Sequence, residues 1–204
     1  MINSLSDYRF YLEADKISLR IEEVIKHKND LAIAERLEIW QFQRLLRKVE
    51  YHQNCKCHQS LWKPYYKFLL SQFIRLSKKL NYSIPLNVFG PGLAIKHRGT
   101  IIVAATAKIG ANCNLHACTN IGVAAGSPHK VPTLGNNIYI APGVKIFGDV
   151  EIANNVAIGA NAVVNKSFLE PNIAIAGVPA KKINSKGSID IVRKATEIVK
   201  TKNE

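Results

Sequence analysis

The first 80 residues of this 204-residue chain contain no glycine, and nowhere does the chain carry an unbroken apolar run of about 18 residues. The second absence excludes a conventional membrane-spanning helix. The first leaves a long segment free of a residue whose backbone freedom weakens helix interiors. Acidic residues are also scarce: 15 Asp and Glu against 28 Lys and Arg give a net charge of +13. Such an excess attracts anions, whether nucleic acid, an anionic membrane surface, a phosphorylated cofactor or an acidic polymer, and alone it does not choose among them. No recognised nucleic-acid motif is present, so a nucleic-acid partner is not expected. The opening stretch MINSLSDYRFYLEADKIS is too polar and acidic for a secretory signal, and a cytoplasmic protein is expected. Four cysteines fit a reducing compartment, with Cys113 and Cys118 read as small residues in or near the core.

What is present divides the chain in two. ISLRIEEVIKHK, DLAIAERLEIWQFQRLLRKVEYH and LWKPYYKFLLSQFIRLSKKL space their apolar residues by three and four, predicting helices broken at Lys28-Asn29-Asp30 and Pro64. Asn81 to Pro85 closes this part. From Leu86 onward glycine, asparagine, alanine and valine dominate, and an aliphatic residue recurs every sixth position: Val103, Ile109, Leu115 and Ile121, then Leu134, Ile140, Ile146, Ile152, Ile158 and Val164. Four residues after most of these stands a small or branched residue, such as Ala107, Cys113, Ile138, Val144 or Val156. Neither a helix nor an alternating strand needs a period of six. A parallel β-helix of triangular section does, each unit forming one short side and a corner, and three units one coil. Leu134 should then stack on Ile152 and Ile140 on Ile158, with Asn112, Asn136, Asn137, Asn154, Asn155 and Asn161 serving the corners.

The register breaks twice. About two residues are inserted after Lys96-His97, and seven within VAAGSPHKV between Ile121 and Leu134. A solenoid takes insertions as external loops, where such scaffolds acquire function.

With this repeat, the closing stretch AIAGVPAKKI (174–183) and the stretch SIPLNVFGPGLAIKHRGTIIV, the chain resembles the hexapeptide-repeat acyltransferases of the left-handed β-helix superfamily, in particular the serine acetyltransferase-like branch that includes O-acetyltransferases of capsule and O-antigen polysaccharides. The resemblance implies a mainly β protein: an α-helical N-terminal domain (1–82), a left-handed parallel β-helix acyltransferase domain (83–183) and a C-terminal helix or tail (184–204). It also implies acetyl-CoA as co-substrate, direct transfer to an acceptor hydroxyl, and a homotrimer or pair of trimers with sites between adjacent prisms. The expected acceptor is a sugar hydroxyl of a surface polysaccharide or its precursor, with serine as the alternative and a non-catalytic scaffold binding anionic polymer as a reading of another class. Serine acetyltransferases carry an aspartate-histidine pair at the first insertion, where this chain has Lys96-His97.

On that basis His97 is the expected general base, because imidazole has the basicity to take a hydroxyl proton near neutral pH. His116, just after the inward Leu115, is expected to contact the acceptor or orient the base. Lys96 and His129, the latter in the second insertion, are expected at the acceptor. For acetyl-CoA the candidates are Ala141 and Gly159, 18 residues apart and so stacked in one row, where small side chains would leave backbone open to an extended pantetheine. Asn165 and Lys166 at the next corner, and Lys181 and Lys182 toward the CoA phosphates, complete the set.

Two further features stay open. His52, Cys55, Cys57 and His58 are zinc-type residues, but their spacing lacks the usual gap between cysteines, and no metal is expected. The basic, aromatic segment KPYYKFLLSQFIRLSKK suits packing on the prism, joining trimers or peripheral contact with an anionic membrane.

Overall fold

The computed structural model describes residues 1–24 and 31–202, so the expected break at Lys28-Asn29-Asp30 lies outside the described residues. Helices α1 (Leu5–Ser18), α2 (Ile21–Val24), α3 (Leu31–Cys55) and α4 (Lys63–Leu80) precede fourteen short strands, and α5 (Ala195–Lys202) follows them. The stretch ISLRIEEVIKHK does not form one helix: α1 ends before Leu19, and Arg20 takes a positive φ of 54° before α2 begins. Pro64 lies in the first turn of α4, where its missing N–H costs nothing, and Asn81 ends that helix in the left-handed conformation. None of the helices among the described residues is long and apolar enough to cross a membrane.

The strands form the three faces of a left-handed parallel β-helix. The first face holds β1 (Tyr82–Ser83), β3 (Ile101–Val103), β6 (Thr119–Gly122), β9 (Lys145–Phe147) and β12 (Val163–Val164). On the second are β4 (Lys108–Ile109), β7 (Thr133–Leu134) and β10 (Glu151–Ile152), extended by bridges from Phe89 and Phe168. The third has β2 (Ala94–Ile95), β5 (Asn114–Leu115), β8 (Tyr139–Ile140), β11 (Ala157–Ile158), β13 (Ala174–Ala176) and the antiparallel β14 (Lys181–Asn184). The expected stacking is met: Leu134 pairs with Ile152 and Ile140 with Ile158. Every aliphatic residue in the two six-residue series is at most 4% exposed. A fully buried Ile or Leu contributes roughly 1.5–3 kcal/mol, so this column is the main support of the prism.

Between the second and third faces the corner is an asparagine ladder. Asn112, Asn137, Asn155 and Asn172 all take positive φ, 57° to 60°. Their side chains bond in sequence: Asn112 donates to Asn137 at 2.8 Å, Asn137 to Asn155 at 2.7 Å and Asn155 to Asn172 at 2.8 Å. Thr196 of α5 closes one end, accepting from the Asn112 amide at 2.8 Å and donating its N–H to Asn112 Oδ1 at 3.1 Å.

The first coil would expose unpaired backbone, and the N-terminal helices satisfy it. Arg47 of α3 is fully buried, donates to Asp15 Oδ2 at 2.9 Å and Glu50 Oε2 at 3.0 Å, and caps the carbonyls of Phe89 and Gly90. Asp15 accepts from the N–H groups of Gly92 and Leu93, and Gln43 bridges Leu93 and Ile95. Burying these charges is tolerable only because each is paired, so α1 and α3 are fixed rigidly on the prism. α4 packs on α3 through buried Leu69 and Phe73, leaving Phe68 and Ile74 exposed, while α5 returns to α1 through Ala195 and Val199 against Ala14 and Ile17.

Candidate functional site

The corner between the third and first faces departs from this satisfied pattern. Strand pairing carries one position per coil along it: Lys96, His116, Ala141 and Gly159 each lie just past a third-face strand, and Ala176 is the last residue of β13, with Lys181 of β14 paired to it. The expected stacking of Ala141 on Gly159 is therefore present, and Lys96 and His116 prove to be the first members of the same row. At Gly159 a Cβ would come within 2.9 Å of the Ala176 Cβ, so the close approach of successive coils requires glycine here. The N–H groups of Ala141 and Gly159 already donate to Ile158 and Ile175. These N–H groups are therefore already used within the coils, and Ala141 itself is only 5% exposed.

The two-residue insertion turns the chain outward directly after β2 and places His97 on the surface of this corner. Its carbonyl accepts from Tyr82 Oη at 2.9 Å. The His97 and His116 rings lie 5.8 Å apart, and His116 packs edge-on against Tyr139 at 5.2 Å. No hydrogen bond joins the two imidazoles among the described residues. His116 Nδ1 is buried without a hydrogen-bond partner. Burial, then His97 and Lys96 nearby, push the His116 pKa down to about 4, which keeps this ring neutral near pH 7. Lys96, partly buried in register with His116, is pushed down to about 8 by burial and then by the guanidiniums of Arg36 and Arg20.

Two carboxylates on α3 reach this corner. Glu35 Oε1 accepts from the Arg98 N–H at 2.7 Å, while its Oε2 lies 3.7 Å from His97 Nδ1. Glu38 approaches Arg98 Nη1 at 3.4 Å and accepts from Lys79 Nζ at 2.7 Å. Sequence reasoning missed both. Their spacing of three on a helix places them on one face, but which face meets the prism is set by the buried Arg47 network rather than by local pattern.

Other candidates stand elsewhere. His129 is exposed in the loop that leaves the corner between the first and second faces, a different corner from His97 and His116. Asn165 and Lys166 share that corner, and Lys166 Nζ lies 5.5 Å above the Phe168 ring. A single chain thus does not bring these three residues to the row. Lys181 is exposed at the row's end, whereas Lys182 is paired to Glu170 at 2.6 Å and is not a free charge. His52 is buried among Tyr51, Trp62 and Tyr65, Cys55 Sγ points toward the Ile2 carbonyl, and Cys57 Sγ bonds back to Gln53 O. Among the described residues no cluster of three or more His, Cys, Asp or Glu is arranged to hold a metal.

Known proteins share this architecture. The serine acetyltransferase of Neisseria gonorrhoeae superposes with a TM-score of 0.64 at 21% identity, covering 90% of this chain and 68% of that one. That of Brucella abortus strain S19, solved in complex with coenzyme A, superposes with a TM-score of 0.64 at 22% identity, covering 90% and 70%. In sequence, the serine acetyltransferase of Synechococcus elongatus is 30% identical over 99 residues, 48% of this chain and 40% of that protein. The Staphylococcus epidermidis enzyme is 33% identical over 99 residues, 48% and 46% of the two chains. The matched stretch thus spans less than half the length of these relatives. No family model matches the chain. The chain has the fold of the serine acetyltransferases and is similar to them in sequence over about half its length.

Proposed function

We propose that this chain is an acetyl-CoA-dependent O-acetyltransferase with His97 as the general base. The observation that carries this reading is the histidine corner: an exposed imidazole beside a neutral one, at the foot of an in-register row of small residues. Such a row has the shape for an extended thioester arm, with Ala141, Gly159 and Ala176 along it and Lys181 at its end to meet phosphate. The coenzyme A complex of a protein with the same fold supports this assignment. When bound, acetyl-CoA supplies an activated acyl group. His97 takes the proton of an acceptor hydroxyl as its oxygen attacks the thioester carbonyl; the carbon–sulfur bond then breaks, and the proton returns to the departing thiolate. His116, uncharged and with a free buried nitrogen, contacts the acceptor without repelling the imidazolium that forms on His97.

Two acceptors fit. The named relatives support the hydroxyl of serine. The cationic setting of Lys96, near Arg36 and Arg20, supports instead a sugar hydroxyl on an acidic surface polysaccharide, because an amino acid's ammonium would face like charges there. A homotrimer, single or paired, would bring His129, Asn165 and Lys166 of one copy toward the row of another; exposed Ile102 and Phe147 on the first face support such packing. Thiol release from acetyl-CoA, measured with L-serine and with a panel of uronic-acid and neutral oligosaccharides, tests the reading. Turnover on serine selects the first acceptor, turnover on acidic sugars alone selects the second, and hydrolysis-level release with every acceptor would leave the scaffold reading.

A further inference from the structure

We infer that Glu35, carried on α3 outside the β-helix, is the positioning residue for His97: its carboxylate keeps the imidazole proton on Nδ1 and leaves Nε2 as the basic nitrogen. This rests on the proposed function only in making His97 a base; the tautomer itself is a property of the chain. The carboxylate is held through one oxygen. Oε1 is committed to the Arg98 N–H at 2.7 Å, one residue from the histidine, so the plane of the group is set by the same turn that sets His97. Oε2 is then left 3.7 Å from Nδ1. That separation is longer than a hydrogen bond, and catalytic pairs commonly tighten only once substrate is bound and the ring takes up charge. An ionised carboxylate accepts and never donates, so it stabilises Nδ1–H and disfavours the tautomer with the proton on Nε2.

Glu38 shows why the placement is not that of an ordinary surface pair. It ties Arg98 to Lys79 of α4, so the turn bearing His97, the start of α3 and the end of α4 are held together by carboxylates one helical turn apart. The rest of α3 is locked to the first coil by buried Arg47 and Gln43. The helical segment thereby supplies a functional group to a site that otherwise belongs to the prism.

Replacing the carboxylate by an amide gives a sharp test. In Glu35→Gln the Arg98 N–H still demands an oxygen, so the amide NH2 is turned toward Nδ1 and donates to it. The proton then moves to Nε2, and the base is lost. The expected result is a fall in kcat of about a hundredfold or more, with the KM for acetyl-CoA changed less than about threefold. Glu35→Asp should recover part of the rate, and Glu22→Gln, which removes an equal charge from the exposed pair with Lys16 away from this corner, should keep it. Nitrogen-15 spectra at alkaline pH read the tautomer directly: Nδ1–H in the wild type and in Glu22→Gln, Nε2–H in Glu35→Gln. A wild-type His97 protonated on Nε2 would overturn the inference whether or not the variants fold, as would a Glu35→Gln rate within about twofold of wild type. If the wild type acetylates no acceptor, the proposed function fails, and the tautomer alone decides the role of Glu35.

Discussion

The asparagine corner and the histidine corner are made from the same six-residue unit, and they differ in what becomes of their polar groups. At the asparagine corner each coil places an amide against the next, and Thr196 closes the column, so the chain satisfies its own donors and acceptors. Side chains there have little left for a ligand. At the histidine corner the equivalent row is small or basic, its backbone N–H groups are used within the coils, and His116 Nδ1 is buried without a partner. Burial also pushes both Lys96 and His116 toward their uncharged forms. A corner that satisfies itself supports the fold, whereas one that leaves polar groups wanting is prepared for something else.

The contrast can be broken from either side. The largest stability effect should come from Asn137→Ala, which puts a Cβ-bearing residue without a local hydrogen bond at φ 59° and cuts the ladder at two bonds. A loss of about 2–4 kcal/mol is expected in urea unfolding, with the rate per folded molecule unchanged. If that variant also lost activity in proportion, the corners would not be separable.

A smaller effect belongs to His116 and appears only in acid. Its folded-state value of about 4 lies below the ordinary 6.5. Above pH 6.5 the ring is neutral in both folded and unfolded chains. As pH falls from 6.5 toward 4 the unfolded chain binds the proton first, so stability declines through that window. Unfolding free energies measured across it should fall less steeply in His116→Leu than in the wild type; parallel slopes would remove the burial argument.

Least is expected of Lys182→Ala. Its ion pair with Glu170 is exposed, so stability should change by less than about 1 kcal/mol, and the KM for acetyl-CoA should move less than in Lys181→Ala.

Much of the prism was legible because a six-residue period has few physical solutions. Ile140, Ile146 and Ile158 are wholly buried as the count requires, and Asn112, Asn137, Asn155 and Asn161 turn corners with positive φ. His97 and His116 were legible from the register break and the inward neighbour. The same arithmetic separates Asn165 from Gly159 by six residues, one corner onward, which already argues against one row in one chain. The pairing of Lys182 with Glu170 depends on how β14 folds back, and Glu35 depends on how α3 docks. Both are tertiary placements between segments whose local patterns do not refer to each other. The division of ISLRIEEVIKHK at Arg20 was hidden for a related reason: its apolar spacing fits one helix, while burial of Leu19 and Ile21 beside the first coil is served by two.

The most direct measurement is steady-state thiol release from acetyl-CoA by the wild type, His97→Ala and Asn137→Ala with the same acceptor, alongside their melting temperatures. His97→Ala should melt near the wild type and lose about two or more orders of magnitude in turnover, while Asn137→Ala melts lower and keeps its rate. A near-normal rate in His97→Ala would contradict the assignment of the base and, with it, the reading of the histidine corner as the active site.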